Sequence, residues 1–207
     1  MKTDEIALVL MDLQNDVVHP EGLFGKSGLA DVVRERSVLE NSHAVLERAR
    51  QLRMLVIHVA HQYRAGHPEV GQGMAIFDSI KTADAMTEGS WGAEPHEMVA
   101  PIENEIVVPK RRVSSFYQSD LDLVLRLAGI NTIVSAGVAT NMVVEATVRD
   151  AADRGFANIV IEDCCASFDA EENEFSLKNI IPKFGRVITT LEFFDEFNER
   201  KRDIRRG

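Results

Sequence analysis

Two ionisable residues of this sequence each follow a short apolar run, and together they could form an acid–base pair. Asp12 ends the run IALVLMD, and Lys110 follows the run EIVVP. If both runs are neighbouring strands of a parallel sheet, their carboxyl ends meet at the edge where such sheets bind ligands. An ammonium group beside the carboxylate would keep Asp12 ionised and oriented. Because charged residues often end strands, this pair by itself does not identify a site.

A third feature is the segment GVATNMVVEAT at residues 137–147. A glycine, small residues and a threonine precede the start of a predicted helix, in an arrangement suited to presenting a reactive side chain. The side chain at that point belongs to Val143, which can neither attack a substrate nor transfer a proton. The sequence has two cysteines, the adjacent Cys164 and Cys165. A disulfide between neighbours would be strained, so we expect both thiols to be free.

Six short apolar runs alternate with segments of helical periodicity, which is typical of a parallel sheet with crossover helices. The runs are nearly continuous in apolar residues, as expected of strands that are covered on both faces. The predicted strands occupy residues 6–12, 54–60, 105–109, 132–138, 158–164 and 186–190, and the predicted helices occupy residues 31–52, 119–128, 141–154 and 170–181. We therefore predict an α/β fold with a single domain over residues 1–207. Residues 62–96 lack clear periodicity and are expected to be irregular, and either mobile or functional.

The composition excludes several classes of function. A net charge of −10 and a pI of about 5.1 argue against a nucleic-acid partner, because that binding needs a basic face. No apolar run approaches the roughly 20 residues that span a bilayer. The N-terminus lacks the basic and then apolar order of a secretion leader. We expect a cytoplasmic protein that binds neither nucleic acid nor membrane.

Three segments, taken in order, resemble a known family. They are MDLQND, VPKRRVSSFYQSDL and GVATNMVVEATVRDAADRGF, and they resemble the isochorismatase-like hydrolases, also called cysteine hydrolases. The segments GSWGAEPHEMVAP and VIEDCCAS are also similar, so the resemblance covers about residues 5–195. It implies a three-layer α/β/α domain around six parallel strands, with a Rossmann-like arrangement. It also implies a homo-oligomer, a dimer or a tetramer, for which residues 62–96 offer a plausible contact.

The resemblance implies a catalytic triad and an oxyanion hole. Asp12 and Lys110 match the family's aspartate and lysine, and position 143 matches its nucleophilic cysteine, which here is valine. A non-proline cis peptide is expected between Val138 and Ala139, with the backbone N–H groups of Ala139 and Val143 binding an oxyanion.

The resemblance also suggests which side chains border the substrate. Trp91, Phe116, Tyr117 and Thr140 fall in segments that border the crevice in the family, so a planar or cyclic substrate could stack there. Core packing of at least one aromatic residue is the competing expectation.

Three arginines and three histidines are further candidates for contact with a ligand. Arg64, Arg111 and Arg112 could bind a substrate carboxylate, although surface salt bridges explain them equally well. His58, His61 and His67 do not reproduce the aspartate and two histidines that hold a metal in the family's nicotinamidases, and strand geometry places His58 and His61 on opposite faces. We expect neither a metal nor another cofactor.

Three functions remain open at this point. The first is thiol-independent hydrolysis of a small cyclic or carboxylated molecule, of the vinyl ether type, with Asp12 as an acid whose pKa an apolar pocket raises. The second is a noncatalytic protein that binds a small molecule on the same scaffold. The third is a C–N amidase whose nucleophile has been replaced, or has moved to Cys164 or Cys165.

Overall fold

The six predicted strands all form, within a few residues of their expected ends. The computed structural model describes the backbone of residues 2–203 and the side chains of residues 2–197. The strands are β1 (Ile6–Met11), β2 (Leu55–His61), β3 (Ile106–Lys110), β4 (Thr132–Val138), β5 (Ala157–Ala166) and β6 (Arg186–Ile188). The helices are α1 (Asn15–Val18), α2 (Leu29–Glu35), α3 (Val38–Gln51), α4 (Ala75–Thr82), α5 (Leu121–Leu127), α6 (Glu145–Asp153), α7 (Ala170–Phe175) and α8 (Thr190–Asp203).

The strands form one parallel sheet in the order β3-β2-β1-β4-β5-β6. The strand order reverses beside β1, which pairs with β2 through Val9 and Ile57 and with β4 through Val9 and Ser135. A crevice opens at such a reversal, above the carboxyl ends of the strands, because the crossover helices leave in opposite directions. The ends of β1 and β4 therefore define the place where a ligand is expected.

Helices cover both faces of the sheet, which confirms the predicted three-layer α/β architecture. On one face, strand residues such as Leu8 pack with Leu46 of α3 and Phe193 of α8. On the other face, Val9 packs with Leu125 of α5, among other apolar side chains. Burial on both faces explains why the strands are continuously apolar rather than alternating.

The helices differ from the prediction at several positions, because α1 and α8 were not predicted and α7 ends at Phe175. Residues 31–52 are not one helix, because Ser37 adopts a left-handed conformation with φ of 53° and separates α2 from α3. Residues 62–96 are not wholly irregular, because α4 lies within them. Its Phe77 and Ile80 are buried, so this short helix has a defined apolar face.

No helix in the described part of the chain is long and apolar enough to cross a membrane.

Candidate functional site

Asp12 lies at the point where β1 ends and the chain turns away from the sheet. Its backbone has a φ of 55°, in the left-handed region that aspartate tolerates better than most residues. Its N–H donates to the carbonyl of Val59 on β2 at 2.9 Å. The residue is 3% exposed. The local turn therefore directs a carboxyl group into the crevice instead of into solvent.

Lys110, the last residue of β3, meets Asp12 inside the protein. Its Nζ lies 2.8 Å from Asp12 Oδ2 and donates a second hydrogen bond of 2.8 Å to the carbonyl of Val113. Lys110 is fully buried. The predicted pair is thus brought together across β2, since β2 separates β1 from β3 in the sheet.

Burial disfavours the charged form of both residues. It raises the pKa of Asp12 to about 6, and the nearby Lys110 ammonium opposes that rise without cancelling it. Burial likewise lowers the pKa of Lys110, against the attraction of Asp12. A carboxyl group with a pKa near 6 can be present in either protonation state at physiological pH, as a general acid or base requires.

The two oxygens of Asp12 have different surroundings. Oδ2 accepts the Lys110 hydrogen bond, whereas Oδ1 is buried and has no hydrogen-bond partner among the described residues. Buried polar atoms are nearly always hydrogen-bonded, so an exception marks a place where a ligand is expected to contact the protein. Oδ1 can therefore accept a hydrogen bond that no described residue supplies.

His61 is a third polar group at this site, and the sequence analysis considered it only as a metal ligand. Its Nε2 lies 3.5 Å from Asp12 Oδ2, and its Nδ1 lies 3.1 Å from the hydroxyl of Tyr63. Burial, followed by the charge of Lys110, lowers the pKa of His61 well below its usual range. The imidazole is therefore neutral at physiological pH.

Gln14 fixes the backbone of His61. The Gln14 Oε1 accepts the N–H of His61 at 2.7 Å, and its Nε2 donates to the carbonyls of His61 at 2.8 Å and Ala93 at 2.6 Å. One buried amide thus joins the end of β2 to the loop after α4. The glutamine in MDLQND holds the site together, although it does not line the cavity.

The turn after β4 has the expected cis peptide between Val138 and Ala139. Gly137 precedes it with a φ of 144°, and a Cβ there would lie 2.1 Å from the carbonyl oxygen of Met11. Glycine is required at this position because β4 passes the end of β1 so closely. The next residues, Thr140–Val144, form a wide π-helical turn that leads into α6.

The amide of Val143 is engaged within this turn. Its N–H donates to the carbonyl of Ala139 at 2.8 Å, while its side chain lines the cavity beside Asp12. An oxyanion could receive this N–H only by sharing it with Ala139. The oxyanion role of the Ala139 and Val143 amides therefore stays a prediction.

A cavity lies above the ends of β1 and β4, with Asp12 in its wall. Its volume is about 40 Å³, which is room for a few water molecules. Its wall is apolar except for Asp12 and His61. The described residues that line it are Asp12, Val17, Phe24, Leu29, His61, Ile76, Phe77, Ile80, Met86, Val113, Val138, Ala139, Met142, Val143 and Phe168.

The four residues expected to contact substrate do not line this cavity. Trp91 is 47% exposed and meets His19 edge to face, with ring centroids 5.0 Å apart. Phe116 is buried in the core, and Tyr117 is exposed. The buried Thr140 hydroxyl donates to Asn173 Oδ1 at 2.6 Å. Their positions do not support substrate contact.

Phe116 lies away from the cavity because of the direction of the loop after β3. The N–H of Ser115 donates to the Thr147 hydroxyl of α6 at 3.0 Å, so the loop turns towards the helical layer. There Phe116 packs against Phe156, with ring centroids 6.0 Å apart. The guanidinium of Arg154 also lies over the Phe116 ring, 4.8 Å from its centroid. The expectation that at least one aromatic residue packs in the core is confirmed for Phe116.

The three candidate arginines are also directed elsewhere. Arg64 and Arg111 bind Glu69 at 2.8 and 3.1 Å, and Arg111 binds Glu88 at 2.7 Å. Arg112 donates to the carbonyls of Arg111 at 2.6 Å and Glu69 at 3.0 Å, and its guanidinium lies 5.4 Å from the centroid of the Phe77 ring. None of the three lines the cavity. The salt-bridge interpretation therefore explains Arg64 and Arg111.

The two cysteines are free and completely buried, and they belong to the cores on opposite faces of the sheet. Burial raises the pKa of Cys165 to about 12 and that of Cys164 even further. Such thiols stay protonated at physiological pH and are poor nucleophiles. Neither residue lines the cavity, so the structure gives no support to a relocated nucleophile.

The three histidines have separate partners. His58 Nε2 lies 3.0 Å from Glu105, His61 is next to Asp12, and His67 Nε2 lies 2.7 Å from the carbonyl of Ala85. Within the described part of the chain, no group of three or more histidine, cysteine, aspartate or glutamate side chains is arranged to hold a metal ion.

Much of the cavity wall comes from residues that the sequence analysis passed over. Ile76, Phe77 and Ile80 come from α4, and Phe24 and Phe168 form an edge-to-face pair with centroids 5.9 Å apart. The three α4 residues lie within about one helical turn, so their spacing in the sequence could have predicted a shared apolar face. No comparable pattern marks Phe24 or Phe168, because they lie in separate loops.

Comparisons with known proteins agree with this architecture. The profile of the isochorismatase domain matches residues 6–192. A cysteine hydrolase from Pseudomonas syringae pv. phaseolicola 1448A is 25% identical, with a TM-score of 0.85 over 96% of this chain and 95% of that one. An isochorismatase-like hydrolase from Alkaliphilus metalliredigens is 26% identical, with a TM-score of 0.76 over 93% and 99%. The N-carbamoylsarcosine amidase from Thermoplasma acidophilum, 24% identical with a TM-score of 0.71 over 90% and 96%, shares the fold.

Proposed function

The chain belongs to the isochorismatase family of hydrolases, and we propose that it hydrolyses a small vinyl ether by acid catalysis without a thiol. One observation carries the proposal. Asp12 lines an apolar cavity, one of its oxygens is held by Lys110, the other is buried without a hydrogen-bond partner, and burial raises its pKa to about 6. Such an environment keeps a fraction of the carboxyl groups protonated near neutral pH, as an acid catalyst requires.

The proposed reaction starts with proton transfer from Asp12 Oδ1 to the terminal carbon of the vinyl group. The electrons of the double bond form the new C–H bond, and the ether-bearing carbon becomes an oxocarbenium ion. Water adds to that carbon and returns a proton to Asp12. The hemiketal then breaks its bond to the leaving alcohol, which takes the hydroxyl proton, and a carbonyl product remains.

The other residues position this acid. Lys110 holds Oδ2 at 2.8 Å, which fixes the orientation of the carboxyl group and leaves Oδ1 without a protein partner. The neutral His61 lies on the Oδ2 side, 3.5 Å away, where it adds no positive charge that would favour the carboxylate. Val143 supplies an apolar wall where the family resemblance places a cysteine nucleophile. A vinyl ether needs no nucleophile from the protein, because water attacks the cation.

The test compares wild type with Asp12→Asn on phenyl vinyl ether, by following the release of phenol. We expect Asp12→Asn to lower kcat/KM by at least about 100-fold, as is typical for loss of a general acid. The matched control is Asp153→Asn, since Asp153 is an exposed carboxylate of α6, outside the cavity. Turnover that survives in Asp12→Asn would refute the proposal.

A second variant separates the alternatives. If only Val143→Cys shows activity, and it releases ammonia from benzamide, the protein is an amidase scaffold without its nucleophile. If neither protein turns over any compound but a ligand raises the melting temperature, the protein is a noncatalytic binder. Either result contradicts acid catalysis by the native chain.

A further inference from the structure

The cavity wall is apolar except for Asp12 and His61. We infer that the substrate is uncharged and largely apolar, and that it carries no carboxylate. This inference rests on the proposed function for the identity of the reacting group, but the ligand class follows from the cavity itself. It departs from the expectation of a carboxylated substrate.

The wall offers few polar partners. Among the described lining residues, polar side chains are supplied by Asp12 and His61, which adjoin each other. The remainder of the wall is aliphatic, aromatic or thioether in character, with Ile80 and Met86 almost fully buried. A ligand can therefore satisfy one polar group beside Asp12, and any second polar group deep in the cavity would lose its hydrogen bonds to water.

A carboxylate in this cavity would also lack a countercharge. Lys110 is buried and held by Asp12, and it does not line the cavity. Arg64 and Arg111 bind glutamates, and Arg112 donates to two backbone carbonyls outside the cavity wall. A substrate anion would enter beside Asp12, which carries negative charge itself when ionised. Burying an unpaired charge is far more costly than burying a neutral amide of the same shape.

Aromatic side chains define the part of the cavity nearest to solvent. Phe168 is 40% exposed and lines the cavity, and its ring meets Phe24 edge to face. Phe77 adds a third ring to the wall. Planar apolar ligands gain both burial and ring contacts from such a wall. An aryl group attached to the reacting ether would gain these contacts.

The test uses two saturated ethers of nearly equal shape, so that binding is measured without turnover. 4-Ethoxybenzamide is neutral and 4-ethoxybenzoate is anionic at pH 7.5. Isothermal titration calorimetry with wild-type protein should give a Kd for the benzamide that is lower by at least about tenfold. Equal or tighter binding of the benzoate would overturn the inference, and so would the failure of the benzamide to bind at its solubility limit.

A variant that introduces a positive charge provides the second measurement. Ile76 is a half-buried lining residue, so Ile76→Arg should place a cation at the cavity and lower the Kd for the benzoate by at least about tenfold. Met74→Arg is the matched control, because Met74 is exposed, two residues away and outside the wall. Should Ile76→Arg fail to fold, the wild-type comparison still decides the question. An equal decrease in the Kd for the benzoate in Ile76→Arg and Met74→Arg would show that the ligand does not bind in this cavity.

Turnover separates this inference from the proposed function. If the vinyl analogue of the benzoate is hydrolysed as fast as that of the benzamide, and both need Asp12, the acid mechanism holds and the substrate class is wrong. If the neutral ligand binds selectively but neither analogue is hydrolysed, the substrate class holds as a ligand class and the mechanism is wrong.

Discussion

Asp12 and Lys110 form a buried ion pair, and breaking it from one side should cost far more than removing both partners. In Asp12→Asn, Lys110 stays fully buried without a carboxylate, so the fold favours its neutral amine. The ordinary pKa of lysine is 10.5, which is about 3.5 pH units above pH 7, and each unit corresponds to about 1.4 kcal/mol. Complete neutralisation at pH 7 therefore costs about 5 kcal/mol at most, and measured losses for broken buried pairs are about 3 to 5 kcal/mol.

The sign of the pH dependence distinguishes this cause from lost packing. With the pKa of Lys110 lowered in the fold, the unfolded chain binds more protons, so the free energy of unfolding of Asp12→Asn should rise between pH 7 and pH 10. The double variant Asp12→Asn/Lys110→Met carries no buried charge and should recover most of the loss. Lys178→Met is the control, since Lys178 pairs with Glu174 on the surface, and it should cost less than about 1 kcal/mol.

The assay is urea unfolding followed by circular dichroism at pH 7 and pH 9.5 for all four proteins. A loss below about 1 kcal/mol in Asp12→Asn, unchanged between the two pH values, would show that the ammonium is not buried as described. A double variant as unstable as the single one would show that lost packing, and not charge, dominates. Either result refutes the account of the pair on which the proposed acid depends.

Three further predictions concern the site and the core. Hydrolysis should fall by about tenfold per pH unit above pH 6, because burial raises the pKa of Asp12 to about 6 and only its acid form donates; a rate that rises over this range would indicate a general base. Gly137→Ala should destabilise the protein by more than about 2 kcal/mol in urea titrations, because its Cβ would meet the Met11 carbonyl; a near-neutral effect would contradict the close approach of β4 to β1. Cys164 and Cys165 should resist iodoacetamide at pH 8 until urea unfolds the chain, because burial raises the pKa of both thiols; mass spectrometry that finds native protein alkylated would show that a thiol is accessible.

The sheet and the acid–lysine pair could be predicted from the sequence because their determinants are local. Each strand is a continuous apolar run, and parallel pairing places the residues after β1 and β3 at one edge. Asp12 and Lys110 were therefore found from position alone, and the family resemblance placed the cis peptide at Val138 and Ala139. All of these inferences depend on chain order and on the carboxyl ends of strands, which sequence patterns determine well.

The cavity wall could not be predicted in the same way, because loop direction decides it. His61 lies beside Asp12 because Gln14 bridges β2 to a distant loop, and no periodicity marks such a bridge. Phe116 seemed well placed after β3, yet the Ser115 contact with α6 turns it into the core. Phe168 reaches the cavity from the loop after β5. The positions of such residues depend on individual tertiary hydrogen bonds and on the direction that each loop takes.

The apolar wall determines the pKa of Asp12. Lys110 lies 2.8 Å from Asp12, yet burial still raises the pKa of Asp12 to about 6, so desolvation outweighs one adjacent cation. A second cation about 4 Å from the carboxyl would contribute roughly 4 kcal/mol at an effective dielectric constant of about 20. That equals about three pKa units, enough to return Asp12 to its ordinary range. A guanidinium beside Asp12 would therefore hold the carboxyl group ionised while the site is empty, and the pKa of Asp12 stays near 6 because no second cation is among the described lining residues.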